Sequence, residues 1–132
     1  MEFLISRRGE TPGTYILQPV GVIDANSQAR LLERLVELQY KGLSGLVIDL
    51  TSTSRISLGG FVALHSLGRV LRGLPPHRET EGWEVVQSIE NDLSHGRREP
   101  VRLVNAQPKV AQALHRARFD ELFEVRRGGC GW

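Results

Sequence analysis

Apolar residues along this chain follow two rhythms. Leu46-Val47-Ile48-Asp49-Leu50 is a short apolar run rich in β-branched residues, the pattern of a strand buried on both faces of a parallel or mixed sheet. From Leu58 the spacing changes. Leu58, Phe61, Val62, His65 and Leu71 recur every three or four residues, which predicts a helix over 59–72 with those side chains on one face. Between the two lies a Ser/Thr-rich turn, Thr51 to Gly60. A helix that starts just past a strand's carboxyl end aims backbone N–H groups and a positive dipole end at whatever docks there, so chemistry is expected at this edge.

The same reading extends to both sides. Phe3 to Arg7 and Thr14 to Pro19 read as two strands joined by a polar turn around Gly9, Pro12 and Gly13. Leu31, Leu35 and Leu38 share a face of a helix over 27–41, with Asp24, Asn26 or Ser27 available to cap its start and Gly42 to end it. Residues 101–104 supply another strand, and Pro108 suits the first turn of a helix over 108–117 in which Val110, Leu114 and Ala117 share a face. Strands alternate with helices, so the expected fold class is α/β, a mixed sheet packed with about four helices in one domain. Residues 72–100 are too many for a structureless loop. The approximate helical spacing of Trp83, Val86, Ile89 or Glu90, and Leu93 places a short added helix there. Trp83 then either patches the core or forms a partner or self-association surface.

Several ordered segments resemble the STAS domains of bacterial anti-sigma-factor antagonists, sulfate-transporter tails and lipid-transport accessory proteins. They are Gly21-Val22-Ile23-Asp24 before a helix, Ile48-Asp49-Leu50, the helix start Gly60-Phe61-Val62-Ala63-Leu64, Leu103-Val104-Asn105, Pro108, and Phe119-Asp120-Glu121-Leu122-Phe123-Glu124-Val125. The resemblance implies a STAS-like domain over 1–127 with an inserted segment at about 73–99, longer than the family's usual connection, and a flexible tail over 128–132. It also implies a partner-binding edge made of Asp24, Ser57, Leu58, Gly59, Gly60 and Phe61.

Antagonists switched by phosphorylation resemble Asp-Ser-Ser/Thr-Gly at this helix start. Aligning Gly60-Phe61-x-x-Leu64 with the family puts Ser57 at the Asp position, Leu58 at the first Ser and Gly59 at the second, so both usual acceptors are missing. A second register reads Ser57-Leu58-Gly59 as Ser-x-Gly, which keeps Ser57 as a phosphoacceptor but shifts the apolar face by one residue. The first is preferred, because taking Phe61 off a buried face costs on the order of 1–3 kcal/mol. Ser57 also suits a helix N-cap.

Length and composition are compatible with this picture. The 132 residues suit one core, and 40% hydrophobic with 24% charged residues is ordinary for a globular domain. No apolar run approaches the ~18 residues of a membrane span, and Met1 to Ile5 is too short for a signal peptide, so direct membrane insertion is not expected and the cytoplasm is. Cys130 is the only cysteine, which removes intrachain disulfides and thiolate metal clusters. The isoelectric point of about 9.1 rests on a formal charge of only +2. The pairs Arg7-Arg8, Arg97-Arg98 and Arg126-Arg127 are scattered without interleaved aromatics, so no nucleic-acid partner is expected.

Enzyme patterns are weak. Ile56-Ser57-Leu58-Gly59 has Arg55 where a nucleophile elbow needs glycine. Asp49, Ser57 and His65 do not establish a triad by order alone, and a histidine on an apolar helix face is usually a core residue with a satisfied ring. His65, His77, His95 and His115 share no metal-ligand spacing, and no phosphate-binding Gly-x-x-x-x-Gly-Lys loop occurs. Asp24 and Asp49 also fit end-of-strand carboxylates that cap the following backbone. The expectation is therefore a regulator without catalysis, cofactor or metal. Two partner classes follow from the resemblance: an anti-sigma factor or histidine-kinase-like ATPase in a partner-switching circuit, and, alternatively, the ATPase of a lipid-transporting ABC system.

Overall fold

The structure is a computed structural model that describes residues 2–7, 13–77, 83–96 and 100–127; for 2–7, Trp83 and Arg127 only the backbone is described. The expected tail over 128–132, with Cys130, lies outside the described residues. Strand β1 (Glu2–Arg7) pairs antiparallel with β2 (Thr14–Ile23), the expected hairpin. Helix α1 (Ser27–Tyr40) returns the chain to β3 (Gly45–Asp49), which lies parallel to β2. After β4 (Thr53–Ile56) come α2 (Leu58–Leu71), α3 (Trp83–Ser94), β5 (Val101–Ala106), α4 (Pro108–Arg116), a short 3-10 turn (Phe119–Glu121) and β6 (Glu124–Arg127). The sheet order is β1-β2-β3-β5-β6, with β3 central as its unbroken apolar run predicts. Among the described residues only the β1–β2 pairing is antiparallel, so the sheet is mixed.

Alternation along the strands sorts the side chains onto the two faces. Leu17, Leu46, Ile48 and Leu103 join one core with Leu31, Leu35 and Leu38 of α1, Leu64 and Leu67 of α2, and Val110 and Leu114 of α4. Val47 and Val104 are buried outside that cluster, on the opposite face.

Two sequence expectations are corrected. The Thr51–Gly60 stretch is not all turn, because Thr53–Ile56 forms β4 and continues the sheet beside the carboxyl end of β2. Its inward residues, Thr53 and Ile56, are separated by exposed Ser54 and Arg55, too short and too polar an alternation to read as a strand. The buried face of α2 is also rotated. Gly60, Ala63, Leu64 and Leu67 are buried, whereas Leu58 is 83% exposed and Phe61, Val62 and Leu71 are partly exposed. Residues 63–68 are buried without interruption, because α2 is covered on more than its sheet side.

Helix α1 packs along α2, and the segment between α2 and β5 covers it further. Gly73, at φ +82°, ends α2 by a Schellman turn in which its N–H donates to Val70 O and that of Leu74 to Arg69 O. The chain then runs past Pro75 and Pro76 to His77, and α3 packs back on the core. The expected helix is present, but its inward face carries Val85, Ile89, Asp92 and Leu93, while Val86 points to solvent. The side chain of Trp83 lies outside the described residues.

Candidate functional site

The residues singled out in the sequence meet where the β2–α1 turn touches the start of α2. Gly60 sits so close to β2 that a Cβ there would lie 2.1 Å from the carbonyl oxygen of Ile23, a position only glycine can fill. The Ser57 N–H donates to that same carbonyl at 2.9 Å, which fixes the helix start on the end of β2. A Cβ at Gly59 would meet the Cβ of Ala25 at 2.6 Å and its backbone nitrogen at 2.7 Å, so the two turns are in backbone contact. Asp24 and Ser57–Gly59 therefore share one edge.

Each polar group on this edge has a structural task. Ser57 is the N-cap of α2, with its Oγ accepting from the Gly60 N–H at 3.3 Å. Asp24 accepts from the Asn26 N–H at 3.0 Å and from Ser27 Oγ at 3.3 Å, while the Asp24 N–H donates to Ser27 Oγ at 3.0 Å. Helix α1 is thus opened by a reciprocal Asp24–Ser27 clasp, although Asn26 at the cap position makes no side-chain cap bond. Asp49 likewise accepts from the Thr51 N–H at 2.9 Å. Phe61 turns inward and packs on Phe119 with ring centroids 4.9 Å apart. Leu58 alone projects, a large apolar side chain at the tip of the helix. Beside it, Val20, Val22, Asp24, Asn26, Ser27 and Arg30 line a shallow open groove of about 270 Å³.

A second constellation, not foreseen in the sequence, lies on the other side of α2. His65 is wholly buried and uses both ring nitrogens: Nδ1 is 2.6 Å from His77 Nε2, and Nε2 is 2.8 Å from Asp92 Oδ2. Arg72 donates through Nη2 to the same Asp92 oxygen at 3.1 Å. The rings of His65 and His77 are stacked, 4.9 Å between centroids. Ser66 Oγ accepts from the His77 N–H at 3.0 Å and donates to Gln28 Oε1 at 3.3 Å, and Gln28 Nε2 donates to His77 O at 2.6 Å. Burial pushes the imidazole of His65 down against the opposing pull of Asp92, and the Arg69 and Arg72 charges push the same way as burial. Burial opposes ionisation of Asp92, but the hydrogen bond from His65 and the charge of Arg72 outweigh it and hold the carboxyl below its usual range.

His65 was legible as a core histidine with a satisfied ring. Its partners were not, since His77 and Asp92 reach it from 12 and 27 residues away. With both ring nitrogens of His65 so engaged, Asp49, Ser57 and His65 do not form a triad. Among the described residues no group of three His, Cys, Asp or Glu is placed to hold a metal ion, and no helix is long and apolar enough to cross a membrane.

Comparison with known structures decides the architecture. The chain aligns over 98% of its length with 90% of the anti-sigma factor antagonist SpoIIAA in its unphosphorylated form, at 12% identity and a TM-score of 0.52. The fold is the STAS fold. No protein-family model and no curated protein matches the sequence. At such identity the likeness fixes the STAS architecture and carries no residue roles. In that architecture the Asp24 and Ser57–Phe61 edge lies at the carboxyl end of β2, and the segment carrying α3 covers the far side of α2.

Proposed function

We propose that this chain is a non-catalytic protein-interaction regulator. It binds an anti-sigma factor or a related ATP-binding kinase through the edge formed by Asp24, Ser57, Leu58 and Gly59, with Gly60 and Phe61 holding that edge in place. The observation that carries the reading is Leu58, 83% exposed at the start of α2 and directly beside the β2–α1 turn. A large apolar side chain on a rigid helix tip is what an interface uses as an anchor. The full-length likeness to an anti-sigma factor antagonist supports the class of partner.

The chemistry of the edge also bears on regulation. Leu58 and Gly59 carry no hydroxyl, and the hydroxyl of Ser57 is committed to the N-cap. A phosphate at a helix N-terminus is tolerated by the dipole while it disrupts a partner surface shaped for a neutral group. Without an acceptor the chain is a constitutive binder, controlled through its partner or through the segment that carries α3.

The test is affinity purification of the native protein from its own cells, followed by identification of what is retained. Recovery of a histidine-kinase-like ATPase, lost in Leu58→Asp, supports the reading. Recovery of a transport ATPase replaces the partner while keeping the edge. A partner bound equally by the parent and by Leu58→Asp rejects the edge.

A further inference from the structure

The β2–α1 turn has a groove on one side and a projecting side chain on the other. Gly59 and Ala25 are in backbone contact, so Leu58, one residue before Gly59, stands beside Asp24 and Asn26, the chain neighbours of Ala25. Asp24 and Asn26 also line the groove of about 270 Å³, together with Val20, Val22, Ser27 and Arg30. We propose that this edge is self-complementary: two copies of the chain pair about a two-fold axis, each placing Leu58 in the groove of the other.

Size and polarity suit the pairing. Leu58 is 83% exposed and Val20 37%, so both leave apolar surface in water that a second copy removes. A closed cavity of ~150 Å³ accepts benzene, so the groove has room for a branched aliphatic side chain. Val20 and Val22 supply the apolar wall it meets.

Charge points to a second copy as the occupant. Asp24 is engaged only through Oδ1, in the clasp that opens α1, and Arg30, exposed on α1, makes no hydrogen bond or ion pair among the described residues. The groove therefore offers one anion and one cation. A groove of a single sign repels its own copy. This one, turned about a two-fold axis, sets each Arg30 against the Asp24 of the other copy while each Leu58 enters the other groove. Such a contact closes on itself, so assembly stops at two.

One consequence rests on the partner edge proposed above. The pairing covers Leu58, so a second copy and the partner exclude one another, and the concentration of the chain sets how much of the edge is free.

Sedimentation equilibrium of the full-length protein, from about 1 μM to about 1 mM, tests the pairing. The parent is expected to follow a monomer–dimer equilibrium. Each contact occurs twice per dimer, so a tenfold loss at each Leu58→Asp contact raises the dimer Kd about hundredfold. Val20→Lys, on the exposed groove wall, is expected to weaken the dimer likewise by adding a second cation beside Arg30. Mixed in equal amounts, these two variants are expected to regain a one-to-one dimer. One contact is then the parental Leu58 in a parental groove, and the other sets the introduced carboxylate against the introduced lysine. Arg30→Glu leaves both apolar parts in place and is expected to raise Kd at least about tenfold. A parent that stays monomeric over the whole range overturns the proposal. So does a dimer unchanged by Leu58→Asp or by Arg30→Glu, or a mixture of the two folded variants that stays monomeric. The two readings fail separately: a monomeric parent whose partner is still lost in Leu58→Asp removes only the self-pairing. A dimer abolished by Leu58→Asp, with the partner bound equally by parent and variant, upholds the self-pairing and removes only the partner edge.

Discussion

Gly59 and Ala25 touch backbone to backbone: a Cβ on Gly59 would stand 2.6 Å from the Cβ of Ala25 and 2.7 Å from its nitrogen. Any side chain at Gly59 forces the α2 start away from the β2–α1 turn. Gly59→Asp is accordingly expected to destabilise the fold by about 1–3 kcal/mol as an overpacked site and to lose binding for that reason. Leu58→Asp separates the two effects. Leu58 is exposed, and a carboxylate near a helix N-terminus is neutral or favourable by about 0.3–1 kcal/mol. Its stability should stay within about 1 kcal/mol of the parent while partner binding weakens by about 1–3 kcal/mol. Denaturant midpoints and titration calorimetry on the same preparations check both halves.

Ser57 gives a complementary prediction. Its hydroxyl accepts from the Gly60 N–H, so Ser57→Ala should cost about 0.5–2 kcal/mol of stability and leave affinity unchanged. Incubated with a histidine-kinase-like anti-sigma factor and ATP, the parent chain should remain unmodified at the α2 start. Stoichiometric phosphate on Ser57 by fragment mass spectrometry means that Ser57-Leu58-Gly59 is the operative register and that the switch survives.

Phe61 stacks obliquely on Phe119, which in turn stacks on Phe123 at 5.5 Å. Phe119 is buried and Phe61 is only partly so. Phe119→Ala is therefore expected to cost about 3–5 kcal/mol and Phe61→Ala less, about 2–3 kcal/mol. The double mutant should reveal a coupling of about 0.5–1.5 kcal/mol from the ring contact. Independent, additive losses would mean that the two rings do not support one another.

What the sequence could disclose follows from how local each signal is. The unbroken run at Leu46 announces the central strand, and Leu31, Leu35 and Leu38 announce α1, because each pattern is complete within a few turns or residues. The apolar face of α2 was misplaced because that helix is covered on more than one side, by the sheet, by α1 and by α3, so its inward residues include His65, Ser66 and Gly68 as well as leucines. Strand β4 was hidden by exposed Ser54 and Arg55. The candidate edge was legible through Asp24 and the Ser57–Phe61 string, but the need for Gly59 and Gly60 comes from Ala25 and Ile23, which only the fold brings near. Asp92 carried no sequence signal at all. A carboxylate on an otherwise amphipathic helix reads as surface until a histidine from another helix meets it.

Asp92 ties α3 to α2 by two polar contacts. It is 6% exposed and accepts from both His65 and Arg72. Asp92→Ala leaves both donors facing a buried site without their acceptor, and a loss of about 3–5 kcal/mol is expected in the docking of α3, because breaking a buried pair costs more than the pair contributes. Asp92→Asn keeps one neutral acceptor oxygen and should lose less. The direction with pH is fixed by the depressed carboxyl: the folded state binds its proton more weakly than the unfolded chain, so the contribution of Asp92 is fully present above the ordinary carboxylate value of about 3.9 and is lost as pH falls through the lower folded value. His65, also depressed, contributes fully above about 6.5 and loses its share as pH falls below it. Because Asp92 is the group that favours the charged form of His65, Asp92→Asn should hold that imidazole neutral to still lower pH. Ring-proton titration of His65 in parent and variant reads this directly. An unchanged or raised midpoint in Asp92→Asn would mean that Asp92 does not set the charge of His65, and that the two residues are merely neighbours.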